Sequence, residues 1–584
     1  MSWEFMMRQG FFKAILISFI ISMGCGCTQL TPYRIKTLAF DGTARKSIVP
    51  DIAECYSGTR QDHLPPCEEK EEVAAAAHAV QHRHYQYRDF QDENDRSGTL
   101  RIGEYHLSFV EFDDQGWFAD RKQMEALFAL LQRLETEGKK RGGGHVLIML
   151  YAHGWKHNAS QCDNNVICFS RLLERMDILE RHLPGEAAPR DVVGVYVGWR
   201  GLSLDAEPLT NLTFWTRKSA AERVGRGGVS ELLTRLNGYR SLRNPKRELG
   251  KTQLVITGHS FGGQVLYAAL SHGLMERANK TIRVDATNCN EVQKLEHSPD
   301  GLTCYDTATS FGDFLVLVNP AFEGSQYEPL FHTATNRCYR SNQRPVMMTV
   351  TSSDDLATRI AFPLGRRVST LLERASTPEQ ASSIVRAVGH DPRYETHKLR
   401  WLGGKTKELR DTENLTEKER ACGCPYLDPT LAFNWRKFFN DNVAPFLLPL
   451  GALPEKNPFT PDRIERGTRI YEKQAYGPDV RLEGDAKYSA NYPYLVVTAD
   501  PEIIPDHSTI YSEPFVRFLH SFFLLHIAFG RPFEADGCEK AKMIKACPVN
   551  GFVPCEQSCV LPDGSSCSGR RSENLGSTAG GSGT

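Results

Sequence analysis

A serine in a glycine-framed turn is the strongest sign of chemistry in this sequence. Residues 254–266 read Leu-Val-Ile-Thr-Gly-His-Ser-Phe-Gly-Gly-Gln-Val-Leu, an apolar strand, then Gly-x-Ser-x-Gly, then an apolar helix. Gly258 and Gly262 lack a β-carbon, so the strand and the helix can approach closely around a sharp turn. Ser260 then stands at the tip, and the helix behind it offers free N–H groups to a developing oxyanion. The pattern predicts a nucleophilic serine.

The elements around this turn alternate between short apolar runs and helical stretches. Runs rich in Val, Ile and Leu are typical of strands buried on both faces, and their alternation with helices predicts an α/β fold with a mostly parallel, doubly wound sheet. An alternating segment at 101–112 predicts an early strand pair. Predicted strands lie at 145–150, 192–199, 254–257, 314–318, 346–351 and 494–498, and predicted helices at 124–134, 170–182, 219–239, 263–274 and 515–529.

The serine turn, together with Tyr151-Ala-His153-Gly154-Trp155 after an earlier strand, resembles the α/β-hydrolase superfamily of serine esterases and lipases. The resemblance covers roughly residues 100 to 530. It implies the α/β-hydrolase fold, here with large insertions, and a catalytic triad in the chain order nucleophile, acid, histidine.

For the acid, the resemblance points to the loop after the second strand beyond the nucleophile strand. There the sequence reads Ser352-Ser353-Asp354-Asp355, and we prefer Asp355, with Asp354 left open. A carboxylate at this place would hold the imidazole tautomer and stabilise its charged form. Asp313 and Glu323, which flank the intermediate strand, are weaker candidates because an exposed loop charge is the commoner role.

For the base, His507 follows the last predicted strand and precedes an apolar helix, which is the family position. His390 and His397, in a long insertion, are its main rivals. His259 lies inside the turn and is expected to be a packing residue.

The oxyanion hole is expected to use two backbone N–H groups. One belongs to Phe261, next after the nucleophile, and the other, by resemblance, to Trp155. Lys156 and His157 nearby are expected at the surface or in a substrate pocket.

These residues predict ester hydrolysis through a Ser-His-Asp triad and an acyl-enzyme, with no metal or organic cofactor. A peptidase, an amidase or an acyltransferase would use the same triad, and a non-catalytic surface protein of the same fold is the remaining alternative. The expected partner is a small-molecule or lipid ester. The formal net charge of −1 gives no indication of nucleic acid binding.

The N-terminus predicts export. Arg8 and Lys13 precede an apolar run that ends in Gly24-Cys25-Gly26-Cys27, so residues 1–24 are expected to be a signal peptide. A small residue directly before Cys resembles a bacterial lipoprotein signal, which makes Cys25 the expected lipidated residue of a membrane-anchored periplasmic or cell-surface protein. Ser22 departs from the Leu that such signals prefer, and a plain signal peptide or an uncleaved anchor stays open.

The remaining chain divides by composition. Residues 25–95 are expected to be a tether and irregular extension, 96–531 the catalytic domain with insertions at about 201–250 and 361–493, and 532–584 a Cys-rich, then Gly/Ser-rich tail. An exported chain with 16 Cys is expected to form disulfides rather than zinc sites. Close pairs in the sequence are Cys55/Cys67, Cys162/Cys168 and Cys289/Cys304, and the tail holds Cys538, Cys547, Cys555, Cys559 and Cys567.

Overall fold

The structure is a computed structural model. It describes residues 32–34, 79–89, 99–160, 163–182, 189–201, 214–245, 251–281, 307–339, 343–370, 373–403, 474–475, 479–485, 488, 491–523, 526–527, 559–560 and 566–567.

An eleven-stranded mixed sheet organises the chain, in the order β1-β2-β4-β3-β5-β6-β7-β11-β8-β10-β9. Seven neighbouring pairs are parallel and three, all near the two edges, are antiparallel. The strands are β1 Val80–Asp89, β2 Thr99–Phe112, β3 Val146–Ala152, β4 Asp191–Trp199, β5 Gln253–His259, β6 Phe314–Val318, β7 Met347–Ser352, β8 His397–Trp401, β9 Gln474–Ala475, β10 Val480–Gly484 and β11 Tyr494–Ala499.

Helices cover both faces of this sheet. One apolar core holds Leu127, Leu232 and Val265 against one face, and a second holds Phe169 and Phe518 against the other. The predicted α/β class with a mostly parallel sheet is therefore confirmed. The helices are α1 Arg121–Lys140, α2 Asn164–His182, α3 Phe214–Val224, α4 Ser230–Arg243, α5 Phe261–Asn279, α6 Gly324–Thr335, α7 Phe362–Ser369, α8 Pro378–Val385 and α9 Glu513–Phe523.

The first helix shows how local sequence sets these elements. The Asp120 side chain accepts a hydrogen bond from the Lys122 N–H and caps α1. Met124, Leu127, Leu131 and Leu134 repeat at helical spacing and are all buried. The helix is longer than the predicted 124–134 because its polar first and last turns carry no apolar periodicity.

The expectation of an irregular extension up to residue 95 was wrong over β1, which pairs antiparallel with β2. The expected strand pair within 101–112 was also wrong, because Thr99–Phe112 is one continuous strand. Its polar half, near β1, pairs at the edge of the sheet, where polar and charged side chains are tolerated.

The long insertions contribute to the main structure. Within 361–493, β8 pairs parallel with β11 and β10 continues the sheet beyond it, so this part is sheet rather than a separate insertion. Within 201–250, α3 and α4 flank a π-helical turn at Gly225–Val229. Tertiary pairing decides these assignments, and the short polar strands give little signal of it.

Several predictions on export fall outside the described residues, including the signal peptide and Cys25. Cys168 and Cys338 are disulfide-bonded, and Cys162, the expected partner of Cys168, is not among the described residues. Cys559 and Cys567 are opposite each other in a small antiparallel ladder. No helix in the described ranges is both long and apolar enough to cross a bilayer.

Candidate active site

Ser260 occupies a sharp, left-handed turn between β5 and α5. Its φ is 54° and its ψ is −119°, a backbone conformation that few non-glycine residues adopt. The turn is held by the Ser260 N–H, which donates to the Val318 carbonyl at 3.0 Å. A β-carbon on Gly262 would lie 2.0 Å from the Ala152 carbonyl oxygen, so a glycine is required there. In the structure, the strand, the turn and the helix lie where the glycine spacing predicts them.

His507 lies between Ser260 and Asp355. Its Nε2 is 2.9 Å from Ser260 Oγ, and its Nδ1 is 2.9 Å from Asp355 Oδ2. A carboxylate only accepts hydrogen bonds, so Nδ1–H donates to Asp355 and Nε2 is left to accept the serine proton. The structure thus brings together three predicted residues from the loops after β5, β7 and β11.

The acid is fully buried and strongly hydrogen-bonded. Asp355 Oδ1 accepts the Thr358 N–H at 3.0 Å, and Oδ2 also accepts the Thr358 hydroxyl. Burial raises the pKa of Asp355, but hydrogen bonds and attraction from His507, with those of Thr358, outweigh burial and lower it overall. Asp354, with its side chain 55% exposed, pairs instead with Arg359, so Asp355 is the carboxylate that contacts His507.

One residue outside the predicted set, Asn319, holds the histidine loop. Asn319, just after β6, donates through Nδ2 to the carbonyls of Asp506 (3.1 Å) and His507 (3.0 Å). Its Oδ1 accepts the Ser352 N–H at 2.9 Å, which ties the loop to the end of β7. An Asn directly after an apolar strand was the available sequence signal, since Asn tolerates the left-handed backbone that Asn319 adopts with a φ of 45°.

His259 also contacts this loop. Its Nε2–H donates to the His507 carbonyl at 2.7 Å, and its ring is buried. Burial, together with repulsion from His507, lowers the pKa of His259 well below its usual value, so the ring stays neutral. The expected packing residue is therefore also a loop anchor.

The rival histidines do not contact Ser260 or Asp355 directly. His390 Nε2 is 3.0 Å from Thr358 Oγ1, which places it one hydrogen bond beyond Asp355. His397 lies on β8, and its Nδ1 is 2.8 Å from Thr396 Oγ1. Burial lowers the pKa of both rings to about 4.

The expected oxyanion residues lie next to Ser260. Phe261 is the first residue of α5, so its N–H has no partner within the helix. Trp155 follows Gly154, whose added β-carbon would lie 2.9 Å from Ser260 Cβ. The Trp155 and Phe261 rings both pack on Phe214, with centroids 5.3 and 4.9 Å away. These contacts hold the Trp155 loop over the nucleophile turn.

His153 holds the same loop through hydrogen bonds to Gly154 and Trp199. The Trp199 N–H donates to His153 Nε2 at 3.1 Å, which leaves Nδ1–H to donate to the Gly154 carbonyl at 2.9 Å. Burial lowers the pKa of His153 to about 4. His157 is bound to Asp163 at 3.2 Å, and the Lys156 ammonium lies 4.9 Å from the centre of the Trp155 ring.

The weaker acid candidates have structural partners. Asp313 is buried at the start of β6, where Arg240 lies 3.2 Å away and the Leu254 N–H donates to Oδ2. Glu323 pairs with Lys218 at 3.0 Å and Arg366 at 2.7 Å. Both carboxylates stabilise packing between elements.

An apolar cavity lies between the central strands and helices α2 and α9. Thr257 and Val318 line it near the ends of β5 and β6, and Ile510 and Tyr511 line it soon after His507. Its other walls are aliphatic and aromatic, apart from His520, whose pKa burial lowers well below its usual value. Such a lining is apolar, and it includes none of Ser260, His507, Phe261 and Trp155.

The arrangement can activate an alcohol side chain. A neutral imidazole can accept the Ser260 proton and a buried carboxylate can stabilise the resulting imidazolium, while the Phe261 N–H at the start of α5 has no partner within the helix. No protein-family model, curated protein or solved structure matches this chain.

Proposed function

We propose that this chain is a serine hydrolase of the α/β-hydrolase fold that cleaves a carboxylic ester. The observation that carries the proposal is the continuous chain from Ser260 Oγ through His507 to Asp355, with both hydrogen bonds at 2.9 Å. The chain order serine, aspartate, histidine and the left-handed serine turn support the same fold and chemistry.

The reaction follows from the tautomer of His507. Nε2 takes the Ser260 proton while Oγ attacks the ester carbonyl, and the amides of Phe261 and Trp155 bind the oxyanion. His507 then gives this proton to the departing alkoxide, which leaves an acyl-serine. A water molecule, deprotonated by His507, attacks the acyl carbon; the bond to Ser260 Oγ then breaks, and His507 returns the proton to Oγ as the carboxylic acid leaves. Each oxyanion donor is expected to stabilise the transition state by about 3 kcal/mol.

The substrate class is a small-molecule or lipid ester. The support is the resemblance of the serine turn and the triad order to serine esterases and lipases; the apolar cavity beside β5 and β6 has neither Ser260 nor His507 in its lining. A series of nitrophenyl esters from short to long acyl chains separates an esterase from a lipase. Amide substrates and added acceptor alcohols distinguish a peptidase, an amidase or an acyltransferase.

A fluorophosphonate probe tests the nucleophile directly. We expect labelling of the wild-type chain, none in Ser260→Ala and weak labelling in His507→Ala. Ser508→Ala is the matched control, since Ser508 is exposed and next to His507 in the sequence. Absence of labelling and of ester turnover in a folded wild-type chain would favour a non-catalytic surface protein.

The proposal includes export and a lipid anchor at Cys25. The support is the apolar run after Lys13 and the disulfide-bonded state of Cys168 and Cys338, which an oxidising compartment favours. Metabolic labelling with a radioactive fatty acid tests the anchor. Cys25→Ala should abolish incorporation, whereas Cys27→Ala should retain it.

A further inference from the structure

Four side chains of metal-binding type share one face of the β1–β2 ladder. His82 and His84 are two residues apart on β1, and Glu104 and His106 are two apart on β2. His82 is directly opposite His106, and His84 is opposite Glu104. Residues at i and i+2 of a strand, and directly opposite partners, project from the same face. The ladder therefore gathers all four at one edge of the sheet, with β4 and β3 between this ladder and the serine strand β5.

The ligand atoms are spaced as a metal ion requires. His82 Nε2 is 3.4 Å from Glu104 Oε2, and His84 Nδ1 is 3.7 Å from the same oxygen. One ligand atom from each of the three residues lies within 4.8 Å of the other two. Tetrahedral zinc with bonds near 2.0–2.1 Å separates its ligands by roughly 3.3 Å. Small side-chain rotations would bring the three atoms to that spacing.

His106 contacts His82 from the side away from Glu104 and can orient its ring. Its Nδ1 is 3.0 Å from His82 Nδ1, the ring nitrogen that does not face Glu104. A metal-bound histidine usually donates its other N–H to a fixed acceptor, which sets the ring orientation. With His82 Nε2 on a metal, its Nδ1–H would donate to the buried His106 ring.

We propose that His82, His84 and Glu104 bind a divalent zinc ion, with His106 orienting His82. Two imidazoles and one carboxylate are a ligand set that zinc takes in sites with three protein ligands. The His82 and His84 side chains are 42% and 49% exposed, so solvent can fill a fourth position. The site needs no contribution from Ser260 and is independent of the proposed ester hydrolysis.

A zinc ion here would join the two strands. Among the described strands, β1 pairs with β2 alone, so it depends on this one ladder for its position at the sheet edge. Ligands from both strands would make the ion a cross-link that resists opening of β1. Hydrogen exchange of the Val80–Asp89 amides should therefore slow when zinc is added.

Zinc titration by calorimetry tests the site on the full, disulfide-intact chain after treatment with EDTA. We expect His84→Ala to bind one equivalent fewer than the wild type, and Glu104→Gln to bind that equivalent at least about tenfold more weakly. His106→Ala should weaken it by about 10- to 100-fold, as loss of an orienting partner does. His332→Ala, an exposed histidine on α6, is the matched control and should keep the wild-type stoichiometry.

Cobalt(II) gives an independent measurement, because a four-coordinate cobalt site absorbs strongly in the visible. The wild type should show this absorption, and His84→Ala should lack it, while far-UV circular dichroism shows both chains folded. Equal zinc stoichiometry and equal affinity in the wild type and His84→Ala would overturn the proposal. That result would mean that the His82, His84 and Glu104 cluster is only a set of His–Glu ion pairs.

Discussion

The side-chain amide of Asn319 donates a hydrogen bond of 3.0 Å to the carbonyl oxygen of His507, 188 residues further along the chain. The same side chain accepts the Ser352 N–H, so one residue connects the loop after β6 to the loops that carry the acid and the histidine. This contact fixes the backbone of His507 while the ring remains free to exchange a proton with Ser260.

Removing the amide should misplace the imidazole. Asn319→Gly keeps the left-handed backbone accessible but removes all three side-chain hydrogen bonds. We expect kcat to fall by about 10- to 100-fold with little change in KM, since a displacement near 1 Å can reduce rates that much. Steady-state kinetics on a nitrophenyl ester measure the effect. An unchanged kcat in a folded Asn319→Gly chain would contradict this positioning role.

Thr358 is expected to keep Asp355 ionised and oriented. Its hydroxyl donates to Oδ2 and its N–H to Oδ1, and both contacts lower the pKa of Asp355. Thr358→Val removes the hydroxyl at similar volume, so the pKa of Asp355 should rise and kcat should fall by about tenfold. The acid limb of the pH–kcat profile should move to higher pH.

Thr358→Ser, which keeps the hydroxyl, is the control and should retain most of the activity. If the Val and Ser variants had equal profiles, the hydroxyl would not act on Asp355.

Gly154 tests the position of the loop over the nucleophile. A β-carbon there would lie 2.9 Å from Ser260 Cβ and 3.2 Å from His259 Nδ1, so Gly154→Ala must displace the loop. Because the Trp155 amide is the proposed oxyanion donor, we expect kcat to fall by about 100-fold or more. Fluorophosphonate labelling rates and ester turnover measure the loss.

Gly238→Ala is the matched control, since an added β-carbon at Gly238 meets nothing within 4 Å. It lies within α4 and should leave kcat unchanged while stabilising the fold by about 0.5–1 kcal/mol. A comparable loss of activity in both variants would argue against a specific role for the Gly154 loop.

Substitutions at Asp313 and Asp355 should have different effects, the first on stability and the second on catalysis. Asp313 lies with Arg240 in a buried ion pair, and removing one partner of such a pair costs about 3–5 kcal/mol. Asp313→Ala should therefore lower the urea midpoint but keep kcat in the folded fraction. Asp355→Asn should change the urea midpoint little but reduce kcat by several orders of magnitude. A kcat loss in folded Asp313→Ala would contradict this assignment.

The buried strands were predictable because burial on both faces requires a continuous apolar run, which is visible in the sequence. Strands such as Phe314–Val318 are covered by helices on both faces, so they are continuous apolar runs, and the observed strand has the predicted bounds. The turn at Ser260 was predictable because its glycines are required by close backbone contacts. The order of Ser260, Asp355 and His507 then narrowed the choice among 18 histidines.

The missed elements depend on contacts between distant segments. β1 is an edge strand with mostly polar side chains, so its sequence shows no apolar alternation. Only its pairing with β2 identifies it as a strand. His82-x-His84 was visible in the sequence, but only the register with Glu104 brings its ligands together. Asn319 likewise gains its role from the loops of other strands, which local sequence does not encode. Thr358 bonds to Asp355 only three residues earlier, but its role depends on the contact of Asp355 with the distant His507.

Buried histidines should make the fold sensitive to acid. Burial lowers the pKa of His153, His390 and His397 to about 4, against about 6.5 for an unfolded chain. Between these values the unfolded state binds more protons, so the stability contributed by neutral burial is complete above pH 6.5 and is lost as pH falls toward 4. From pH 7 to pH 5 each ring should reduce the free energy of unfolding by roughly 2 kcal/mol.

Urea unfolding at intervals between pH 7 and pH 5 measures this slope. His397→Gln should reduce the slope by about one proton per molecule, because that ring no longer titrates on unfolding. The residue lies on β8, on the far side of β11 and β7 from the nucleophile strand, so ester turnover in the folded chain should change little. A slope that His397→Gln leaves unaltered would mean that this histidine has the same pKa in the folded and unfolded chains, so burial would not lower it.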